Sequence, residues 1–337
     1  MSKIITFGEI LLRLSSNSGE RISQANQLHC HYGGAEANVG ISLANFEHEV
    51  YFVSKVPDNP LGTAVISHLK SADIHTPYLL KGGERLGTYY LETGVGVRSS
   101  QVTYDRKYSS MTELTKEELD FDAIFQHADL FHVSGVTPAL SPSLRKITQF
   151  ALKKAKEYGV MTSFDFNYRS KLWSQQEAAH TIKTLLPYVD ICSCGELDAV
   201  HLLNIEQPDD QLEKEQQLAY YYGKIQQMFP NIKYMCSTYR QVISASVNTL
   251  QGNFYIDGRL YQSKIYQIDQ IVDRVGGGDA FMSGILHGIL DHMEPEKTIA
   301  FATATSVLKH TVHGDCSVFN QDEVQTFIEH GSGKIVR

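Results

Sequence analysis

The chain has 337 residues, 42% of them hydrophobic and 20% charged, and carries a net charge of −8. That length can bury a large core, as one big α/β domain or two ordinary ones, and the composition is that of a soluble globular protein. The negative balance argues against nucleic acid or an anionic membrane as partners, so a small anionic substrate would need a local cluster of Arg or Lys.

No run of about 18 apolar residues occurs, so no membrane-spanning helix is expected. The N-terminus, Met1 to Glu9, reads as a strand and a turn and lacks the apolar stretch and cleavage site of a secretory signal. The five cysteines are scattered and odd in number, which fits a reduced cytoplasm better than a disulfide framework. Cys192 and Cys194 read as buried strand residues, since no His/Cys set stands at ligand spacing around them.

In chain order, Ile4 to Phe7 is a short apolar strand, and residues 10 to 32 alternate loosely. Gly33 to Phe46 reads as a turn entering a helix, Val50 to Val53 as a strand and Pro60 to Ser71 as a helix. Such alternation implies βαβ units and a parallel sheet. Residues 86 to 109 break the rhythm with two β-rich runs, Leu86 to Leu91 and Gln101 to Arg106, separated by Gly94, Gly96 and Ser99-Ser100. This reads as an inserted hairpin. With residues 10 to 33 it is expected to form a small separate sheet, a β-lid over a site. The core rhythm then resumes: strand Leu130 to Ser134, helix Ser143 to Tyr158, strand Val160 to Phe166, helix Gln175 to Leu186, strand Val189 to Ser193. A solvated acidic loop is expected over 206 to 217, then a helix from Leu218 to Phe229 and a strand from Tyr234 to Ser237. Ile243 to Val247 and Asn253 to Tyr255 suggest a β-meander, and Pro295 to Lys309 a helix. The expectation is one α/β unit over 1–337 with a β-lid.

The most informative run is Asp273-Arg-Val-Gly276-Gly277-Gly278-Asp279, which leads into a helical pattern. Bare glycine amides at a helix N-terminus, with the helix dipole behind them, favour a bound anion. A carboxylate at Asp279 would repel a resting anion, and taking a proton from a hydroxyl that attacks a phosphoryl group gives it a reason to be there. A tight turn with an N-cap Asp suits the same string. No Lys-Ser/Thr follows, so this is not a Walker A loop.

Gly33-Gly-Ala-Glu-Ala-Asn38, taken with Val275-Gly-Gly-Gly-Asp279, resembles the PfkB/ribokinase family of sugar kinases over nearly the whole chain. Tyr104-Asp-Arg106, Ser134-Gly-Val-Thr-Pro-Ala-Leu140 and Asp165-Phe-Asn-Tyr-Arg169 narrow the resemblance to the 2-keto-3-deoxygluconate kinases. The resemblance implies a ribokinase-like Rossmann-type core and transfer of the ATP γ-phosphoryl group, with Mg²⁺, to a sugar-acid hydroxyl. It also implies homo-oligomers formed through the lid. Other acceptors within the family remain open: fructose, or 5-dehydro-2-deoxygluconate. So does a catalytically weakened sugar-acid binding homologue.

The residues can be read beside that resemblance. Gly33 and Gly34 let the backbone press against a substrate, and Asn38 offers a donor and an acceptor. Tyr89, Tyr104 and Arg106 lie on the lid, and 104 and 106 share a strand face. Arg169 follows a strand end, where α/β sheets place ligands. Two arginines converging on one carboxylate would favour a sugar acid. The resemblance makes Asp279 the base and the Gly276, Gly277 and Gly278 amides the anion hole. Asp273 orders the loop, near the sugar or a monovalent cation. Arg274 stands where Thr is usual, and Gly277 where Ala is commoner. Gly195-Glu196-Leu-Asp198 replaces the family's Asn-x-x-Glu, so Glu196 and Asp198 are expected to meet Mg²⁺ only through water. Ser237 and Gly314 are named for the nucleotide. Glu47 and Asp73 fall at post-helix positions where relatives place Gly, at about 1 kcal/mol each. The fourteen histidines show no metal spacing.

Overall fold

The computed structural model describes residues 1–208 and 211–331. Its elements follow in chain order. First come β1 (Lys3–Phe7), β2 (Leu11–Ser15), β3 (His29–Gly33), α1 (Ala35–Asn45), β4 (Glu49–Val56), α2 (Pro60–Ser71), β5 (Leu79–Lys81), β6 (Thr88–Glu92) and β7 (Gln101–Asp105). Next are α3 (Phe121–Phe125), β8 (Leu130–Ser134), α4 (Val136–Ala139), α5 (Pro142–Glu157), β9 (Met161–Asp165), α6 (Gln175–Leu185), β10 (Ile191–Ser193), α7 (Glu196–His201) and α8 (Lys214–Met228). The chain continues with β11 (Tyr234–Val242), β12 (Asn248–Ile256), β13 (Arg259–Gln262), β14 (Tyr266–Ile268), α9 (Gly277–Leu290), α10 (Pro295–Lys309) and α11 (Gln321–His330).

Ten strands form one sheet in the order β13-β12-β11-β10-β9-β8-β1-β4-β5, with β14 also on β12. From β5 to β11 every pairing is parallel, and β12, β13 and β14 add antiparallel pairings at one edge. The central strands are buried on both faces, which is why they read as apolar runs. Ile5, Phe7, Phe131 and Phe164 pack under α5, α6 and α8, while Ile4, Val50 and Phe52 pack under α1, α9 and α10. The helices start where their sequences say they should. Asn59 caps α2 by accepting from the Leu61 and Gly62 amides, and Pro60 takes the first position. Ser174 and Glu177 form a reciprocal cap on α6.

A second sheet, β3-β2-β6-β7, stands apart and uses both inserts expected for it. Leu11, Tyr89 and Leu91 form its core, with Val275 of the glycine run packed against it. Three expectations need correction. Ile243 to Val247 is the bend between β11 and β12, because the long β11–β12 ladder already runs from Tyr234 to Val242. The helix expected from Leu218 begins at Lys214, capped by Glu213 with Gln216, so residues 214–217 of the expected loop are helical. Residues 209–210 of that loop, and 332–337 of the span 1–337, lie outside the described residues. Glu47 and Asp73 do adopt the left-handed conformation, at φ 63° and 56°. Among the described residues, no helix is long and apolar enough to cross a membrane.

Candidate active site

In this sheet the chain passes from β1 outward to β4 and later returns on β1's other side as β8, so the order reverses between β1 and β8. Ligands of open α/β sheets bind outside the carboxyl ends of the strands at such a point. Glu36, in the first turn of α1, is buried there. Its Oε1 accepts from the Ser134 amide at 2.9 Å and from the Ser134 and Thr137 hydroxyls, each at 2.8 Å. Burial pushes its carboxyl above the usual range, and those hydrogen bonds oppose the shift.

Asp279 faces this point from the first turn of α9. The Asn38 amide donates to its Oδ2 at 2.7 Å. Burial pushes the Asp279 carboxyl up to about 7, aided by the Asp165 and Glu36 charges and opposed by Asn38 and Arg169. A carboxylate poised near neutrality suits a general base. Asn38 is held at its other end, where Oδ1 accepts from the Gly34 amide at 3.2 Å and the Cys316 thiol at 3.2 Å. It therefore orients Asp279.

The glycines have separate reasons. Gly34 caps α1 in extended conformation, and any side chain there would run into the Glu9 carbonyl. Gly33 ends β3 against the Asp315 side chain. Gly276 has φ 79° and lies on the Asp315 carbonyl, so only glycine fits. Gly277 packs on the His310 ring, and its amide donates to the Arg274 carbonyl at 3.3 Å. Gly278 has open space around its α-carbon. Its amide lies in the first turn of α9, before any intrahelical acceptor is available.

Asp273 and Tyr89 sit in an unforeseen buried network. Arg13, on β2, donates to Asp273 Oδ2 at 2.6 Å and to Asp315 Oδ1 at 2.8 Å. The Tyr89 hydroxyl donates to Asp315 Oδ2 in a short hydrogen bond. The Val275 and Gly314 amides also donate to Asp273, and Lys309 Nζ reaches its carbonyl at 3.3 Å. Burial alone would lower the Arg13 proton affinity, but the Asp273 and Asp315 charges outweigh it and hold the guanidinium firmly cationic. Asp273 and Tyr89 thus have their polar atoms engaged by protein, and Gly314 serves this network through its amide.

Arg106 is engaged in an ion pair. Its Nε and Nη2 both meet Glu9 Oε2, the former at 2.8 Å, so only part of the guanidinium is left for a ligand. The reason is Glu9, a buried acid that the sequence did not single out. Among the described residues Nη1 has no hydrogen-bond partner, and the guanidinium lies over the Tyr104 ring at 5.7 Å. Arg169 is exposed and acts electrostatically on Asp165 and Asp279. Among the described residues it has no ion-pair partner.

Asp198 caps α7 by accepting from the Gly195 amide at 2.8 Å, which explains why the helix forms without an Asn at 195. Burial, with the Asp165 charge, pushes its carboxyl up to about 6. A carboxylate whose proton affinity is raised by a second one is what a hard cation relieves. Glu196 accepts from the Tyr239 hydroxyl in a short hydrogen bond. Ser237 is engaged by Tyr222 at 2.8 Å and Asn253 at 3.3 Å. All five cysteines are free, and Cys192 and Cys194 are buried as expected. His48, His287 and Asp291 come together at the other end of α9; His287 and Asp291 stand four apart, and His48 joins them from far along the chain. The two rings share a hydrogen bond of 2.9 Å, and burial lowers the proton affinity of both imidazoles.

Residues 1–233 and 244–322 match the model of the pfkB family carbohydrate kinases. A 2-dehydro-3-deoxygalactonokinase of Haloferax volcanii is 33% identical over 336 residues, covering 100% of this chain and 99% of the relative. A 2-dehydro-3-deoxygluconokinase of Bacillus subtilis is 28% identical, covering 92% of this chain and 90% of its own. The crystal structure of a 2-dehydro-3-deoxygluconokinase from Thermotoga maritima superimposes with a TM-score of 0.94 at 39% identity, covering 98% of this chain and 100% of that one. The reversal of strand order, the carboxylate at the head of α9 and the match along the sequence agree: this chain belongs to the pfkB family of carbohydrate kinases, which makes it a phosphotransferase.

Proposed function

We propose that this chain phosphorylates 2-keto-3-deoxygluconate, or its galacto epimer, at the terminal hydroxyl, using ATP. The observation that carries the reading is the Asn38-held Asp279 carboxylate, pushed up to about 7, beside the unpaired cation of Arg169. The kinase relatives named above support the substrate class.

Asp279 takes the proton of the substrate hydroxyl as that oxygen attacks the γ-phosphoryl group in line. The first-turn amides of Gly278 and Asp279, with that of Gly276, face the charge that develops on the transferred group. Arg169 and the free Nη1 of Arg106 receive the substrate carboxylate, with the Tyr104 hydroxyl beside them. The Gly33-Gly34 backbone forms the floor. Asp165 and Asp198, with Glu196, fit a hydrated Mg²⁺, which when bound supplies charge neutralisation for the phosphates. The small sheet acts as a lid that keeps water from competing as nucleophile. In this reading the enzyme works in the cytoplasm, and two copies pair through the exposed outer strand β7.

A coupled ADP-release assay tests the proposal, with 2-keto-3-deoxygluconate, its galacto epimer, fructose, ribose and gluconate as acceptors. The keto-deoxy acids should give the highest kcat/KM. Equal or better turnover of fructose would refute the carboxylate reading, and no turnover with any acceptor would refute the assigned reaction.

A further inference from the structure

The chain's buried arginines have acids to answer them: Arg13 has Asp273 and Asp315, and Arg106 has Glu9. Three arginines near the glycine run do not. Among the described residues, Arg169, Arg240 and Arg274 form no ion pair. Their positions follow from the fold. Arg274 leaves the glycine run, and its Nη2 donates to the Ser244 carbonyl at 3.1 Å, the Ala245 carbonyl at 2.9 Å and Asn248 Oδ1 at 3.5 Å. Those acceptors lie in and just after the β11–β12 bend, so Arg274 ties the bend to the run that holds Asp279.

Arg240 stands on β11 directly opposite Leu250 of β12. Opposed residues of antiparallel strands project on one face. Leu250 packs with Val307 of α10, and His310, which ends that helix, lies against Gly277. Arg240 therefore projects on the face of the hairpin turned toward the glycine run. It keeps solvent contact and makes no hydrogen bond to protein among the described residues. Crowding by protein lowers its proton affinity, and repulsion from Arg274 and Arg169 lowers it further, although a guanidinium stays cationic at neutral pH. Like charges gathered without a counter-ion are unfavourable until a polyanion joins them.

We propose that Arg240 and Arg274 form a polyphosphate site beside the glycine run, gripping the distal phosphates of the nucleotide from the β11–β12 hairpin. The proposal rests on the kinase reading above and adds a cationic wall to the amide cradle. It also gives a purpose to Arg274, which stands where Thr is usual. The two guanidiniums bind the chain of phosphates, while Arg169 remains on the sugar-acid side, next to Asp165 and Asp279.

The test is the exposed position. Binding of ADP, adenosine and inorganic tripolyphosphate would be measured by calorimetry on the wild type, Arg240→Met and Arg240→Lys. Loss of a charge-assisted contact should weaken ADP and tripolyphosphate about 10-fold or more in Arg240→Met, with partial recovery in Arg240→Lys. Adenosine affinity and the KM for the sugar acid should stay within about 2-fold, since neither touches this wall. Unchanged ADP and tripolyphosphate affinity in Arg240→Met would overturn the proposal. So would an equal loss of adenosine binding in a variant that melts at the wild-type temperature. A wild type that binds tripolyphosphate through Arg240 but phosphorylates no sugar acid would keep the site and discard the substrate assignment.

Discussion

The contact between Asn38 and Asp279 makes a quantitative claim about pH. The amide donates to the carboxylate at 2.7 Å, and it opposes a shift that otherwise brings Asp279 to about 7. A hydrogen bond to a charged group contributes about 1.5–3 kcal/mol, and each pH unit of pKa corresponds to about 1.36 kcal/mol. Removing the donor in Asn38→Ala should therefore move the Asp279 titration up by about one to two pH units. In its proposed role as base Asp279 works ionised, so kcat/KM should rise as pH rises through this titration. At pH 7 the ionised fraction would fall from about a half to between roughly a tenth and a hundredth. The assay is kcat/KM from pH 5.5 to 10 by coupled ADP release. Wild type and variant should converge at the alkaline end and separate near neutrality. A loss of rate constant across the whole range would refute the reasoning, because Asn38 would then act on something other than the proton affinity of Asp279. So would an unmoved acid limb.

Other expectations follow from neighbouring groups. Asp279→Asn should lower kcat by at least about 10²-fold. It should also stabilise the fold above neutrality. The folded carboxyl titrates at about 7 against about 3.9 unfolded, so stability drops by up to about 4 kcal/mol as pH rises between those values; the melting gain should be large at pH 8 and absent at pH 4. Arg13→Met strands two buried acids and should cost about 3–5 kcal/mol in chemical unfolding, with Lys309 unable to reach both carboxylates. Because Arg13 and Lys309 already supply cations at Asp273, wild-type rates should be equal in potassium, sodium and tetramethylammonium salts, and a strong potassium requirement would contradict this. Glu47→Gly should stabilise by about 0.5–1 kcal/mol, since Glu47 holds φ 63°, and an unchanged denaturation midpoint would show the strain to be relieved elsewhere.

The alternation of apolar strands and capped helices was readable, and Pro60–Ser71, Leu130–Ser134 and Pro295–Lys309 end where the sequence indicated. These elements carry their own signals, a proline at the first helical position or a run of β-branched and aromatic residues. The edge strands β13 and β14 did not, because short strands of mixed polarity owe their form to the neighbour they pair with. The site divides in the same way. Gly276, Gly278 and Asp279 were legible because three glycines before an acid constrain the backbone locally. Arg13, Glu9 and Asp315 were not, since each matters only through a partner far along the chain: residue 13 meets 273 and 315, and residue 9 meets 106. The motif Gly33 to Asn38 was recognised as a unit, but the contact of Asn38 with Asp279 was not, because which group an amide meets across 241 residues is a tertiary fact.

The ion pairs on β2 bear on how such an enzyme can change its diet. Arg13 and Tyr89 fix the two inner strands of the small sheet to the segments around Asp273 and Asp315, so those strands cannot drift without unbalancing buried charge. β7 and the 93–100 turn are tied by more exposed ion pairs, Asp105 to Arg85 and Arg98 to Glu92, each at 2.9 Å, and most of β7 faces solvent. Divergence in acceptor preference is therefore expected to accumulate along that outer edge, beginning with Tyr104 and the residues that flank it. Exchange of 101–105 between two kinases of this kind should shift acceptor preference, whereas the 93–100 turn also reaches the β11–β12 bend, where the Ala245 amide donates to the Gly96 carbonyl at 2.8 Å.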